Sequence, residues 1–302
     1  MARSIYAISP SGAVEDEARL RRGVANLERA GFEVRLDRSA LAVHQRFAGQ
    51  DKTRADSFAR AAASDCDVVM ATRGGYGITR YLDQLDYRRL AAAGKHWIGL
   101  SDFTAFHLAM LARAKAVTWA GPCLVAGFGA ERYEDIDATT LETFVDTVDG
   151  RVEALGFATR GNSGFEAEGV LWGGNLAMVC ALLGTPFFPK VEGGILFLED
   201  VNEHPFRIER MLTQLLHAGV LARQKAIVFG HVNGYRPAPH DRGFDLPAVY
   251  RWLGRQIAAP IITGLPFGHA DPVVTLPHGA KISLAVERGT CYLVMPHRHR
   301  HG

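Results

Sequence analysis

The sequence predicts an α/β protein: an N-terminal, mostly parallel sheet flanked by helices, then a second C-terminal α/β domain rich in β-strands. Two observations carry this expectation. Short apolar runs alternate with segments of helical period through the first half, and strand–helix–strand repetition builds a parallel sheet with helices on its faces. Between Asp146 and Gly169 the composition shifts toward Gly, Thr and Asn with weak helical period, and a second alternating series follows. The expected division is residues 1–145, a junction at 146–169, and residues 170–302. A chain of 302 residues suits about two domains or one large one.

In order, SIYAIS (residues 4–9) reads as the first strand, and Asp16–Gly31 as a helix with Ala18, Leu20, Val24 and Leu27 at helical spacing and Gly31 as its stop. FEVRLD (32–37) alternates as a strand and DKTRADSFARAAASD (51–65) is helical. DVVMATRGG (67–75) is a continuous apolar run ending in glycines, as in a buried parallel strand. Residues 81–95 read as a helix, HWIGLS (96–101) as the next strand, and a helix opens directly after Ser101. The second half gives a helix in GGNLAMVCALLG (173–184), the strand GGILFLED (193–200), a helix at 204–221, the strand QKAIVFG (224–230) and a polar loop at 231–243. A helix at 246–258, the strand PIITGL (260–265), and closing strands in TLPHGAKISL (275–284) and GTCYLVM (289–295) complete it. No internal repeat interrupts the series.

The totals exclude several function classes. Hydrophobic content of 48% and charged content of 22% are ordinary for a globular chain. A formal charge of +2, from 34 basic and 32 acidic residues, gives no electrostatic reason to propose a nucleic-acid partner. No run reaches the length of a membrane span, and the N-terminus reads as a strand and loop rather than a signal peptide. Cys66, Cys123, Cys180 and Cys291 are scattered and form neither a disulfide framework nor a zinc pattern, which fits reduced thiols in the cytoplasm. The His297–His301 tail reads as a solvated end rather than a metal site.

Four stretches concentrate chemistry, all at the carboxyl ends of expected strands, where sites of open α/β sheets collect. TRGGYGITR (72–80) has glycines at 74, 75 and 77. Arg80 stands where a dinucleotide fingerprint wants its third glycine, so a nucleotide is discouraged; a tight turn and a set of backbone N–H donors beside a catalytic residue both remain open. Ser101 lies where GLSD turns sharply from strand into helix. It is either an N-cap or a nucleophile, and the G-x-S-x-G elbow is not formed because the second glycine is missing. A serine nucleophile needs a base held by a third group. Among twelve histidines, His269 in GLPFGHADP follows a strand, with His231 as its rival. Glu199 and Asp200 end the apolar run 195–198, and a desolvated carboxylate there needs a partner: Arg207 or Arg210 in a structural ion pair, or a catalytic imidazole.

Together these residues resemble the LD-carboxypeptidases, a family of serine peptidases. The resemblance rests on Ser9-Pro10-Ser11, Arg73–Gly77, Gly99–Asp102, Glu199-Asp200 and Gly268-His269 in order, with LWGGNLAM (171–178) and EDVNEHPFRIERML (199–212) beside them, from about Ile5 to Leu284. It implies Ser101 as nucleophile, His269 as general base and Glu199 orienting the histidine in place of the more usual Asp. The backbone N–H groups of Asp102, Gly74 and Gly75 would form the oxyanion hole. No metal or other cofactor is implied. The implied substrate is the murein tetrapeptide, free or attached to a muropeptide sugar, cut between meso-diaminopimelate and D-alanine in the cytoplasm during cell-wall recycling, by a homodimer. An exopeptidase must also hold a free carboxylate, for which Arg73 and Arg80 are candidates. Tyr76, Trp172 and Asn175 are further candidate substrate contacts, with interface packing an equal reading of Trp172. Relatives that hydrolyse peptide-nucleotide antibiotics, which call for an aromatic platform near the site, and a non-catalytic murein-peptide binder are the competing functions.

Overall fold

The computed structural model describes residues 3–161 and 163–295; the His297–His301 tail lies outside them. The N-terminal half runs β1 (Arg3–Ile8), α1 (Glu17–Arg29), β2 (Phe32–Leu36), α2 (Asp51–Ala63), β3 (Val68–Ala71), α3 (Tyr87–Ala92), β4 (His96–Gly99), α4 (Thr104–Ala114), β5 (Thr118–Ala120), α5 (Leu124–Phe128) and α6 (Ala138–Asp149). The second half runs β6 (Ala154–Ala158), β7 (Phe165–Asn175), α7 (Leu176–Leu182), β8 (Gly194–Val201), α8 (Pro205–His217), β9 (Gln224–Asn233), α9 (Leu246–Gly254), β10 (Ile261–Thr263), β11 (Leu276–His278), β12 (Lys281–Glu287) and β13 (Thr290–Val294).

Two sheets result. The first has the order β11-β5-β4-β3-β1-β2, parallel except for β11, and the second β10-β9-β8-β7-β12-β13-β6, parallel from β10 to β7 and antiparallel beyond. The two-domain α/β architecture expected from the sequence is thus present. Strand order in the first sheet reverses between β1 and β3, and a crevice opens outside the carboxyl ends of strands at such a switch point. The loops after β1, β3 and β4 are the three stretches singled out in the N-terminal half.

Several expected elements differ. Residues 81–95 do not form one helix: Asp86 accepts a hydrogen bond from Arg89 N at 3.1 Å and caps the short α3, so the chain before it turns in 3₁₀ geometry. The stretch 146–169 contains the end of α6, all of β6 and the start of β7. The alternation Phe165-Glu166-Ala167-Glu168 is a strand signal that glycine content masked. TLPHGAKISL is two strands in two sheets, parted at Gly279 with φ +90°, so β11 returns to the first sheet before β12 enters the second.

α4 is the joint between the halves. Every side chain from Thr104 to Leu111 is buried, because the helix packs on α3, on α7 and on β7 rather than facing water on one side. Phe103 and Phe106 join Phe58 and Trp97 in an aromatic cluster beneath it. Gly174 makes the close approach possible: at φ +122°, a Cβ there would stand 2.5 Å from Thr104 Oγ1. Asn175 N donates to that hydroxyl at 3.0 Å, which registers the second sheet against the helix that follows Ser101.

Candidate active site

A cleft of about 740 Å³ is lined by the loops that follow the parallel strands β3 and β4 of the first sheet and β8 of the second. Ser101, Gly74, Gly75 and Arg73 line it from the first domain, and Gly268, His269 and Asn202 from the second. The structure thus brings together segments far apart in sequence.

Ser101 has φ +66°, a left-handed backbone that a non-glycine residue adopts only under constraint. Its hydroxyl caps neither the 3₁₀ turn 101–103 nor α4, so the capping alternative is not what the structure contains. Gly74 lies directly against it: a Cβ at that position would be 2.7 Å from Ser101 Cβ and 2.9 Å from Oγ. Gly75 has φ +117°. Among the described residues, the N–H groups of Gly74, Gly75 and Asp102 donate to no other protein group, and they flank the serine at the start of a helix.

The Asp102 side chain holds this arrangement from behind. It is buried, and its Oδ2 accepts from Ser11 Oγ at 2.7 Å and from Ile78 N at 3.0 Å, tying the loops after β1, β3 and β4 together. Burial pushes its carboxyl up, against the pull of those hydrogen bonds. Arg54, fully buried, supports the same loops: it donates to Pro10 O, pairs with Asp51, and lies over the rings of Phe47 and Tyr81. Sequence reasoning missed Asp102's side chain and Arg54. An arginine in a helical segment reads as a solvated face, and no local pattern says otherwise. Ser11 was visible only as part of Ser-Pro-Ser.

On the opposite wall, His269 Nδ1 and Glu199 Oε2 are 2.8 Å apart. Glu199 is completely buried near the end of β8, so its charge is held in low dielectric facing the imidazole. Burial pushes the His269 pKa down, but the hydrogen bond and charge of Glu199 outweigh it and the net shift is upward. Nε2 has no hydrogen-bond partner among the described residues, and no hydrogen bond joins it to Ser101 Oγ across the cleft. Such contacts are often long without substrate and close around it.

Asn175 stands in register with Glu199 across β7 and β8, donating to Glu199 Oε1 at 3.2 Å and to Asp200 Oδ1 at 3.3 Å. Its own Oδ1 caps α7 at Met178 N. Asn175 therefore sits behind the acid rather than in the cleft. Asp200 caps the same helix through Ala177 N, and burial raises its pKa to about 6. Neither Glu199 nor Asp200 pairs with Arg207 or Arg210; Arg207 is held by Glu203.

The other candidates separate. Arg73 lines the cleft, anchored to Ala13 O at 3.0 Å and to Glu15 at 2.5 Å. Arg80 turns away, paired with Asp51 and lying over Phe47. Tyr76 packs on Phe47 outside the cleft lining. Trp172 is 1% exposed, with Nε1 donating to Gln224 Oε1 at 2.9 Å, so it is a packing residue of the second domain. His231, the rival base, does not line the cleft, and among the described residues its Nδ1 has no partner. No group of three or more His, Cys, Asp or Glu side chains is placed to hold a metal among the described residues. No helix among them is long and apolar enough to cross a membrane.

Comparison with known proteins gives a consistent result. The LD-carboxypeptidase N-terminal domain model matches residues 5–121 and the C-terminal domain model residues 168–284. The solved muramoyltetrapeptide carboxypeptidase from Oxalobacter formigenes is 39% identical, covers 97% of this chain and 98% of its own, and superposes with a TM-score of 0.89. The murein tetrapeptide carboxypeptidase of Pseudomonas aeruginosa is 29% identical over 90% of each chain. The microcin C7 self-immunity protein MccF of Escherichia coli is 26% identical over 92% of this chain and 89% of its own. With both domain models matched in order along one chain, this protein belongs to the LD-carboxypeptidase family.

Proposed function

We propose that this protein is a serine LD-carboxypeptidase that removes the terminal D-alanine from meso-diaminopimelate–D-alanine in murein tetrapeptides during cell-wall recycling. The observation that carries the reading is His269 held by the fully buried Glu199 at 2.8 Å, facing a cleft whose other wall holds Ser101 in a left-handed backbone. Two carboxypeptidases among the relatives act, by their names, on murein or muramoyl tetrapeptides.

In this mechanism the Ser101 hydroxyl attacks the diaminopimelate carbonyl while His269 Nε2 accepts its proton. Glu199 fixes the Nδ1–H tautomer and balances the imidazolium. The oxyanion is received by the N–H groups of Gly74, Gly75 and Asp102, each donor worth roughly 3 kcal/mol. Collapse returns the proton to the departing amine of D-alanine, and water, activated by the same histidine, releases the acyl-enzyme. Arg73 is the cation we assign to the D-alanine carboxylate. The chemistry as written needs no metal.

The four cysteines are buried free thiols, which supports action in the reducing cytoplasm; the homodimer rests on the family resemblance. Cleavage of a peptide-nucleotide antibiotic is favoured by the likeness to the immunity protein. Against it, no Phe, Tyr or Trp lines the cleft among the described residues, so a base finds no stacking surface. Release of D-alanine from L-Ala-γ-D-Glu-meso-diaminopimelate-D-Ala tests the proposal; a folded enzyme that leaves this peptide intact overturns it.

A further inference from the structure

The cleft contains more charge than the mechanism uses. Of its ionic groups, Arg73 and Glu15 pair with each other, Asp16 caps α1 by accepting from Arg19 N, and His269 is held by Glu199. Two remain. The Arg19 guanidinium, in the first turn of α1, and the Asp271 carboxylate, two residues past His269, both line the cleft, one from each domain. Among the described residues neither makes a hydrogen bond or ion pair, and they are not in contact with each other. Partial burial and then Asp137 push the Asp271 carboxyl up, His231 and Arg19 pull it down, and the net shift is upward. Opposite charges that face one cleft and leave a gap between them are complementary to a ligand bearing a cation and an anion on neighbouring atoms.

We infer that Arg19 and Asp271 form a subsite for a zwitterionic amino acid head, the carboxylate meeting Arg19 and the ammonium meeting Asp271. The inference rests on the proposed function and deepens it. A meso-diaminopimelate residue linked through its L-centre keeps a free ammonium and carboxylate on its distal carbon, whereas a lysine in its place keeps the ammonium alone. Arg19 then selects diaminopimelate over lysine, and Asp271 selects either over a side chain without charge. Both subsite groups are exposed, so substitution leaves the core untouched.

The test compares D-alanine release, as kcat/KM, from three tetrapeptides alike except at the third residue: meso-diaminopimelate, L-lysine and Nε-acetyl-L-lysine. Arg19→Ala is expected to lower the diaminopimelate-to-lysine ratio about 10- to 100-fold, the range of a charge-assisted hydrogen bond. Asp271→Asn is expected to lower the ratios of both diaminopimelate and lysine to acetyl-lysine. Arg21→Ala, on the same helix and paired with Glu17, serves as a control expected to keep all three ratios. Unchanged ratios in Arg19→Ala and Asp271→Asn, with D-alanine still released, would overturn the subsite and leave the proposed function standing. A folded wild type that releases D-alanine from none of the three would overturn the proposed function and the subsite with it.

Discussion

Gly74→Ala is a direct structural probe of the proposed nucleophile, Ser101. The backbone at Gly74 is not in the left-handed region, so alanine is conformationally acceptable there. Its Cβ, however, would stand 2.7 Å from Ser101 Cβ, about 0.7 Å inside the 3.4 Å at which ordinary van der Waals contact begins. Serine cannot yield by rotating a long side chain, because the conflict is with its Cβ as well as Oγ. Either the glycine loop or residue 101 must move, and Asp102 ties both to Ser11. Overpacking of this size costs about 1–3 kcal/mol of stability. A shift approaching 1 Å between nucleophile, base and oxyanion donors costs about 100-fold in rate. We therefore expect kcat for D-alanine release to fall about 100-fold or more, with KM changing little and a cooperative melt a few degrees below wild type. Mass spectrometry of free D-alanine and a thermal melt read both quantities. A folded Gly74→Ala enzyme within twofold of the wild-type kcat would refute the placement of Ser101 in the reaction.

Other perturbations read the remaining parts. In the proposed mechanism His269 must be neutral to accept the serine proton, so kcat/KM should rise with pH through an acid limb above the ordinary histidine pKa of about 6.5, because Glu199 outweighs burial. Glu199→Gln removes the charge and leaves the burial, moving that limb downward while lowering the plateau; a limb that stays put separates His269 from the kinetics. By linkage, the stability that this pair contributes is full below the ordinary histidine pKa and fades as pH rises through the raised one, so urea melts should show that slope in wild type and lose it in Glu199→Gln. Asn175→Ala strips hydrogen bonds from the buried Glu199 and Asp200 carboxylates and the cap of α7, and should cost at least about 1–3 kcal/mol in a denaturant melt and lower kcat more than it raises KM. Trp172→Phe, remote from the cleft, should keep kcat/KM within twofold of wild type while the loss of its bond to Gln224 lowers Tm; a selective loss of activity would return Trp172 to the substrate.

Much of the candidate site is legible in the sequence because Ser101 and Glu199 sit at or near strand ends. In GLSD and FLED the apolar runs stop abruptly at a polar residue, and periodicity marks where a strand stops; His269 lies six residues past the end of β10 and is not marked that way. What periodicity does not encode is partner. β11 is too short to announce that it leaves one sheet for the other, and the alternation at the start of β7 is hidden by the glycines around it. Trp172 and Asn175 share one motif, yet one packs a core while the other supports Glu199, a difference that appears only once β7 lies beside β8. Arg54 and Asp102 were hidden for a different reason. A charged residue is buried only when others surround it, and those partners come from three separate segments, residues 10–11, 47–51 and 78–81.

The central claim is that Ser101 is a nucleophile rather than a structural turn. The measurement that tests it most directly is D-alanine release from L-Ala-γ-D-Glu-meso-diaminopimelate-D-Ala by wild type and Ser101→Ala in parallel, with EDTA present. Our account predicts release by wild type, untouched by EDTA, and its loss by at least about 1,000-fold in a folded Ser101→Ala variant. Release that survives the substitution would contradict it.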